Sequence, residues 1–107
     1  MFGLYDKSHK EIVEIIGNCL SIKEVVIYGS RAKGNYKEGS DIDLTILGEP
    51  TPEDVNKLWQ DLDDSFIPYK FDISVHNNLK SDSLKEHIKR VGKTFYKLDE
   101  TKSVRKS

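Results

Sequence analysis

The stretch Val25-Val26-Ile27-Tyr28-Gly29-Ser30, followed ten residues on by Ser40-Asp41-Ile42-Asp43-Leu44, decides how this chain folds. The first segment predicts a short buried strand that ends in a glycine-serine turn, and the second predicts another strand. Because side chains two residues apart in a strand point to the same face, Asp41 and Asp43 are expected on one face, about 7 Å apart. Such carboxylates repel each other unless a cation lies between them, and Mg²⁺ takes oxygen ligands of this kind. The pattern therefore predicts a site for a metal ion and a phosphate.

The composition is typical of one soluble domain. The chain has 107 residues, of which 36% are hydrophobic and 33% are charged, and its formal net charge of −1 does not favour binding to nucleic acid or membranes. No apolar run approaches the roughly 18 residues of a membrane span, and the N-terminus lacks a secretory pattern. The single cysteine, Cys19, cannot form an internal disulfide and is predicted to be a small core residue. We expect a cytoplasmic protein with one domain over 1–98 and a disordered polar tail over 99–107.

The spacing of apolar residues predicts an α/β domain, a small mixed β-sheet with helices packed on one face. The first half is predicted to contain a helix over 8–20 with a capping box at Ser8 and Glu11, a strand over 24–28, a turn or single helical turn over 30–35, and a strand over 41–47. A second long helix follows, capped by Thr51 with Pro52 at its first position, and then a strand over 69–76. The last helix runs from Ser81 or Ser83 to Val91 with Gly92 as its C-cap, and an extended piece covers 93–98. Trp59 is expected to anchor the core.

The polar face of the predicted sheet carries the candidate chemistry. Ile42, Leu44 and Ile46 alternate with the acids, so we expect Asp41, Asp43 and, from the next strand, Asp72 on an open face. A solvated face is the alternative, but such faces usually mix lysine, threonine and glutamate. Gly29 allows a phosphate to approach the backbone, and Ser30 adds a donor. Asp72 would complete the coordination of a second metal ion or take the proton of an attacking hydroxyl.

Two other motifs are excluded by the residues present. Gly29 and Gly34 have the spacing of a Walker A loop, but Asn35-Tyr36 stands where lysine and serine or threonine are required. The segment 40–45 lacks the central glycine and terminal glutamate of an EF-hand. The three histidines, His9, His76 and His87, have no metal-ligand spacing and are expected at the surface. His76 ends the strand of Asp72 and is the one expected at the rim of the site.

Together, the segments 29–34 and 39–44 resemble the signature of the DNA polymerase beta-like nucleotidyltransferase superfamily, in particular its small MNT branch, which includes antitoxins encoded beside helical HEPN proteins. The resemblance extends over about residues 10 to 97. It implies the polymerase beta-like nucleotidyltransferase fold and two Mg²⁺ ions. The implied catalytic and metal-binding residues are Asp41, Asp43 and Asp72, and the implied nucleotide-binding residues are Gly29, Ser30, Arg31 and Ser40. Two interpretations of Arg31 and Lys33 remain equally open. Either one of them contacts the triphosphate or the acceptor, or both lie in a solvated loop.

The resemblance also implies an activity and a partner. We expect transfer of a nucleoside monophosphate, AMP from ATP, to a hydroxyl of a HEPN-type helical protein, as the antitoxin of a toxin–antitoxin pair, with release of pyrophosphate. One alternative is a catalytically idle nucleotide-binding module that acts by covering a helical partner. Another is an enzyme acting on a small molecule, which an appended helical domain would have favoured.

Overall fold

The computed structural model describes residues 4–34 and 41–98, and it shows a four-stranded mixed sheet with helices on both faces. The elements are α1 (Asp6–Gly17), β1 (Glu24–Tyr28), α2 (Ser30–Lys33), β2 (Ile42–Leu47), α3 (Pro52–Asp63), β3 (Phe71–Val75), a 3₁₀ helix (His76–Asn78), α4 (Asp82–Val91) and β4 (Lys93–Lys97). The predicted α/β class is confirmed, and the extended piece after α4 is a strand. No helix of these two ranges has the length and apolar character needed to cross a membrane.

The strand order β3-β2-β1-β4 fixes which residues are neighbours at the site. Strand β1 is antiparallel to β2 and β4, whereas β2 and β3 are parallel. In this register Asp43 of β2 lies between Tyr28 of β1 and Asp72 of β3. Because directly paired residues share a face, all three side chains belong to one face of the sheet. We call it the acid face.

The opposite face carries the main core, as the alternation in β2 predicted. Ile42, Leu44 and Ile46 are fully buried there, in one apolar cluster with Ile12 of α1 and Leu58 of α3. Burying one such side chain stabilises the fold by about 1.5–3 kcal/mol. The burial of this face holds β2 in one register, since a slip by one residue would turn its acids into the core.

Helix α4 departs from the prediction that the helices lie on one face. A Cβ added at Gly92, just after α4, would come within 2.7 Å of Val26 Cγ1. Val26 pairs with Thr45, which lies on the acid face two residues from Asp43. The acid face is therefore covered by α4 next to β1 and is not open over its whole width. The cause is Val26, an apolar side chain on this face that needs burial.

The ends of the helices were predicted with mixed success. Thr51 caps α3 as predicted, accepting a hydrogen bond of 3.2 Å from the backbone N–H of Asp54, and Ser81 caps α4 in the same way. The capping box at Ser8 is wrong, because α1 begins at Asp6 and Ser8 is buried in its first turn. Helix α1 also ends at Gly17 rather than at residue 20.

The two expectations about burial have opposite outcomes, and the expectation about the C-terminal tail falls on residues outside the described ranges. Cys19 is fully buried, as predicted. Trp59 is 40% exposed, so its assignment as a core anchor is wrong, and Phe66 in the following loop is 99% exposed. The predicted tail over 99–107 falls outside the ranges that the structure describes.

Candidate active site

Asp43 and Asp72 form the centre of the acid face. They are direct partners in the parallel pairing of β2 and β3, and adjacent strands lie about 4.8 Å apart. Asp43 is half-buried and Asp72 is exposed, so the pair lies where the core meets solvent. Asp41 is exposed and comes directly before β2, which is tied to the entrance of β3 by the backbone hydrogen bond from Ile42 to Lys70, at 2.8 Å.

The electrostatics show that burial and the neighbouring acids act on Asp43. Burial raises the pKa of the Asp43 carboxyl, and the charges of Asp72 and Asp41 raise this pKa further. The charge of His87 lowers the same pKa and so partly offsets them. The ionised form of Asp43 is therefore disfavoured by its surroundings, and a cation bound beside it would relieve this effect.

The acids fit a shared rather than an enclosed metal site. Within 4–34 and 41–98, no three histidine, cysteine, aspartate or glutamate side chains are grouped closely enough to hold a metal ion by themselves. Magnesium is commonly held by one or two carboxylates together with substrate phosphates and water, rather than by an all-protein cage. The pair formed by Asp43 and Asp72, with Asp41 in electrostatic reach, has the oxygen donors that this mode of binding requires.

Gly29 is required by both its backbone and its surroundings. Its φ of +78° lies in the region that side-chain-bearing residues rarely adopt. A Cβ added there would also collide with the Asp43 carboxylate. The glycine thus lets the turn after β1 pass directly beside Asp43. Ser30 then begins α2, which is the single helical turn that was predicted.

The basic residues after this turn lie in different environments. Arg31 is buried, with its guanidinium carbon 5.0 Å from the centroid of the Tyr69 ring, so the side chain packs against the segment that leads into β3. Lys33 is exposed. A role of Arg31 in nucleotide binding stays a prediction. Ser40, the fourth predicted nucleotide-binding residue, lies outside the described residues.

Sequence reasoning missed two residues of the acid face. Tyr28 is buried beside Asp43, and its pKa is raised by burial and by the charges of Asp72 and Asp43. His87 of α4 meets the Tyr28 ring edge-on, with ring centroids 6.5 Å apart and an interplanar angle of 82°. A signal existed: His87 follows Leu84 by three residues and precedes Ile88, which places a polar side chain on the apolar stripe of α4.

The three histidines, which were expected at the surface, are all half-buried. The ring of His9 packs against Phe95, with centroids 5.0 Å apart, and its Nε2 is buried without a hydrogen-bond partner in the described part of the chain. His76 begins the 3₁₀ helix after β3. Of the three, His87 is the one whose charge acts on the pKa of Asp43.

Comparison with known proteins agrees with this geometry. The family described as polymerase beta, nucleotidyltransferase matches residues 10–101. No curated protein sequence matches the chain.

Several solved structures have the same fold. A toxin–antitoxin complex with AMP-PNP contains a chain of 19% identity and TM-score 0.61, with 90% of this chain and 78% of that chain covered. The complex of a tri-AMPylated Shewanella oneidensis HEPN toxin with an MNT antitoxin gives 18% identity, TM-score 0.55 and coverages of 92% and 76%. A candidate nucleotidyltransferase from Sulfolobus solfataricus gives 26% identity and TM-score 0.52, with 85% of this chain and 78% of that chain covered. These similarities confirm the predicted fold.

Proposed function

Since the chain belongs to the polymerase beta nucleotidyltransferase family, we propose that it transfers AMP from ATP to a hydroxyl group of a helical partner protein. The observation that carries the proposal is the pairing of Asp43 with Asp72 across β2 and β3, together with the raised pKa of Asp43. A fold of this size has little reason to keep mutually repelling carboxylates side by side unless a bound cation uses them.

The site residues have separate roles in the proposed reaction. Asp41, Asp43 and Asp72 would hold two Mg²⁺ ions, since nucleotidyltransferases of this family generally use divalent metals. Bound metal supplies charge neutralisation at the phosphates. The Gly29 backbone lies close to Asp43, so a phosphate held at this turn is also held beside the acids. Ser30 donates its hydroxyl to a phosphate oxygen.

The transfer itself is an in-line displacement. The acceptor oxygen forms a bond to the α-phosphorus, while the bond from this phosphorus to the oxygen bridging to the β-phosphate breaks. Pyrophosphate leaves with the electron pair. The acceptor hydroxyl loses its proton to Asp72, which is exposed beside Asp43, or, if Asp72 serves only as a metal ligand, to solvent water. Because the protein supplies mainly position and charge, the reaction needs no covalent enzyme intermediate.

We propose that the acceptor is a HEPN-type protein and that this chain acts as the antitoxin of a cytoplasmic toxin–antitoxin pair. The support is the similarity to the MNT chain found with a tri-AMPylated HEPN toxin and to the complex with AMP-PNP. The chain also exposes large apolar side chains that could contact a partner, including Phe66 at 99%, Leu20 at 78% and Tyr5 at 71%.

The test is a transfer assay with purified components. The chain is incubated with ATP, Mg²⁺ and the purified product of the adjacent gene as candidate partner, which is then examined for added adenylyl groups by intact mass. We expect modification with the wild-type chain and none with the double variant Asp41→Asn, Asp43→Asn. The matched control is Asp63→Asn, which changes an exposed aspartate of α3 and should leave the transfer intact.

Two results would contradict the proposal. If the double variant transfers AMP as well as wild type, the acid face is not the active site. If the wild-type chain binds ATP and the partner tightly but never modifies it, the alternative of an idle binding module is correct.

A further inference from the structure

His87 occupies a position on the acid face that the proposed reaction has not used. Helix α4 lies against this face next to β1, and the His87 ring meets the ring of Tyr28 at 6.5 Å. Tyr28 is the register partner of Asp43 and directly precedes Gly29. His87 therefore stands where the acids and the glycine-serine turn meet.

The His87 imidazole differs from its acidic neighbours because it can offer an N–H donor to a bound phosphate chain. The other charges that act on Asp43, those of Asp72 and Asp41, are negative, whereas His87 acts in the opposite sense. Magnesium prefers oxygen ligands, so an imidazole beside this cluster is poorly suited to bind the metal. An imidazole N–H is well suited to donate a hydrogen bond to an anionic phosphate oxygen.

The buried basic residue of the turn, Arg31, packs against a different part of the site. Arg31 is buried with its guanidinium group over Tyr69, on the side of the site that leads into β3. His87 approaches from α4 and is half-buried, so part of its ring remains accessible. A phosphate chain at Gly29 and Ser30 would thus have His87 beside it from a separate element.

We propose that His87 is a nucleotide-contacting residue, whose imidazole donates a hydrogen bond to the phosphate chain of the bound nucleoside triphosphate. This inference rests on the proposed function and adds a residue to it. The imidazole orients the phosphates against the acid face and leaves the metal ligands to the aspartates. Its packing against Tyr28 restricts the ring, so that little side-chain freedom is lost on binding.

The first experiment compares binding of ATP and AMP, with Mg²⁺, by calorimetry. We expect His87→Gln to weaken ATP binding about 10-fold, because the glutamine amide is not held against Tyr28 as the imidazole is and the hydrogen bond to the charged group is lost. AMP binding should weaken much less, since AMP lacks the β- and γ-phosphates. The matched control, His76→Gln, changes another half-buried histidine and should bind ATP within about twofold of wild type.

The second experiment needs no variant and so remains informative if His87→Gln folds poorly. Side-chain NMR signals of the three histidines are followed during titration of the wild-type chain with AMP-PNP and Mg²⁺. We expect the His87 signals to shift more than those of His9 and His76. This inference is wrong and the proposed function stands in either of two cases. In the first, wild type binds nucleotide, but the His87 signals do not shift and His87→Gln leaves ATP affinity unchanged. In the second, His87→Gln lowers ATP affinity and AMP affinity equally. If wild type binds no nucleotide, both are wrong.

Discussion

Replacing Asp43 by asparagine should stabilise the fold while abolishing transfer. Asp43 and Asp72 are partners on adjacent strands about 4.8 Å apart. Two unit charges at that separation repel by about 0.9 kcal/mol in bulk water and by about 3.5 kcal/mol at the effective dielectric constant of a protein surface. Because Asp72 is exposed and its charge is screened by solvent, the lower end applies. We expect Asp43→Asn to raise the free energy of unfolding by about 1 kcal/mol, which is about 4–8 °C in Tm for a domain of this size.

The effect has a defined dependence on pH. The pKa of Asp43 is raised by burial, Asp72 and Asp41, so the folded state binds the proton more tightly than the unfolded state does. Wild-type stability therefore falls as the pH rises through the folded-state pKa of Asp43. The gap between Asp43→Asn and wild type should be largest near neutral pH, and it should close below the unfolded-state value of about 3.9.

The assay is chemical denaturation without divalent metal, applied to a double-mutant cycle. Asp43→Asn, Asp72→Asn and the double variant are compared, because the cycle isolates the repulsion between the two carboxylates. The gains should be less than additive by about 1 kcal/mol, and Asp63→Asn should change stability by no more than about 0.5 kcal/mol. A loss of stability in Asp43→Asn at neutral pH, or a gain that persists in acid, would refute the reasoning.

Three further predictions concern the residues that support the site. Gly29→Ala should cost more stability than Gly34→Ala in urea denaturation, since both have positive φ but only the Gly29 Cβ meets Asp43; equal costs would contradict the role given to that contact. Thr51→Ala should cost about 1 kcal/mol by loss of the α3 cap and Thr51→Ser much less; equal losses in Tm would argue against the hydroxyl cap. Cys19, buried and with its pKa raised by burial, should react with a thiol reagent only after unfolding, and rapid labelling of the native chain would be inconsistent with its burial.

Much of the site could be predicted because the chemistry is local in sequence. The alternation in β2 was enough to separate Ile42, Leu44 and Ile46 from the acids, and burial confirms this separation. The nucleotidyltransferase class predicted from the two motifs is confirmed by the family match over residues 10–101. The individual roles of the site residues stay predictions.

The position of α4 could not be predicted because its partner strand gives no alternating signal. Val25, Val26 and Ile27 form a continuous apolar run, so the sequence does not show that Val26 alone of these faces the acids. The apolar stripe of α4 shows that the helix needs a sheet face, but not which one. The placement of His87 follows from α4 and was missed for the same reason.

The start of α1 was misread because a local motif competed with a longer spacing. Ser8 and Glu11 have the pattern of a capping box, yet Leu4, Ser8 and Ile12 recur every four residues on one buried stripe. Leu4 is buried in the core just before the N-cap residue Tyr5, so the helix begins at Asp6 and Ser8 becomes part of its first turn.

The fate of the α-phosphate of ATP tests the central claim most directly. In parallel reactions with Mg²⁺ and the helical partner, one ATP carries its label on the α-phosphate and the other on the γ-phosphate. Nucleotidyl transfer by the acid face predicts that the partner gains the α-label and not the γ-label, and that Asp43→Asn abolishes the transfer. Incorporation of the γ-label, or α-label transfer that survives Asp43→Asn, would contradict the account.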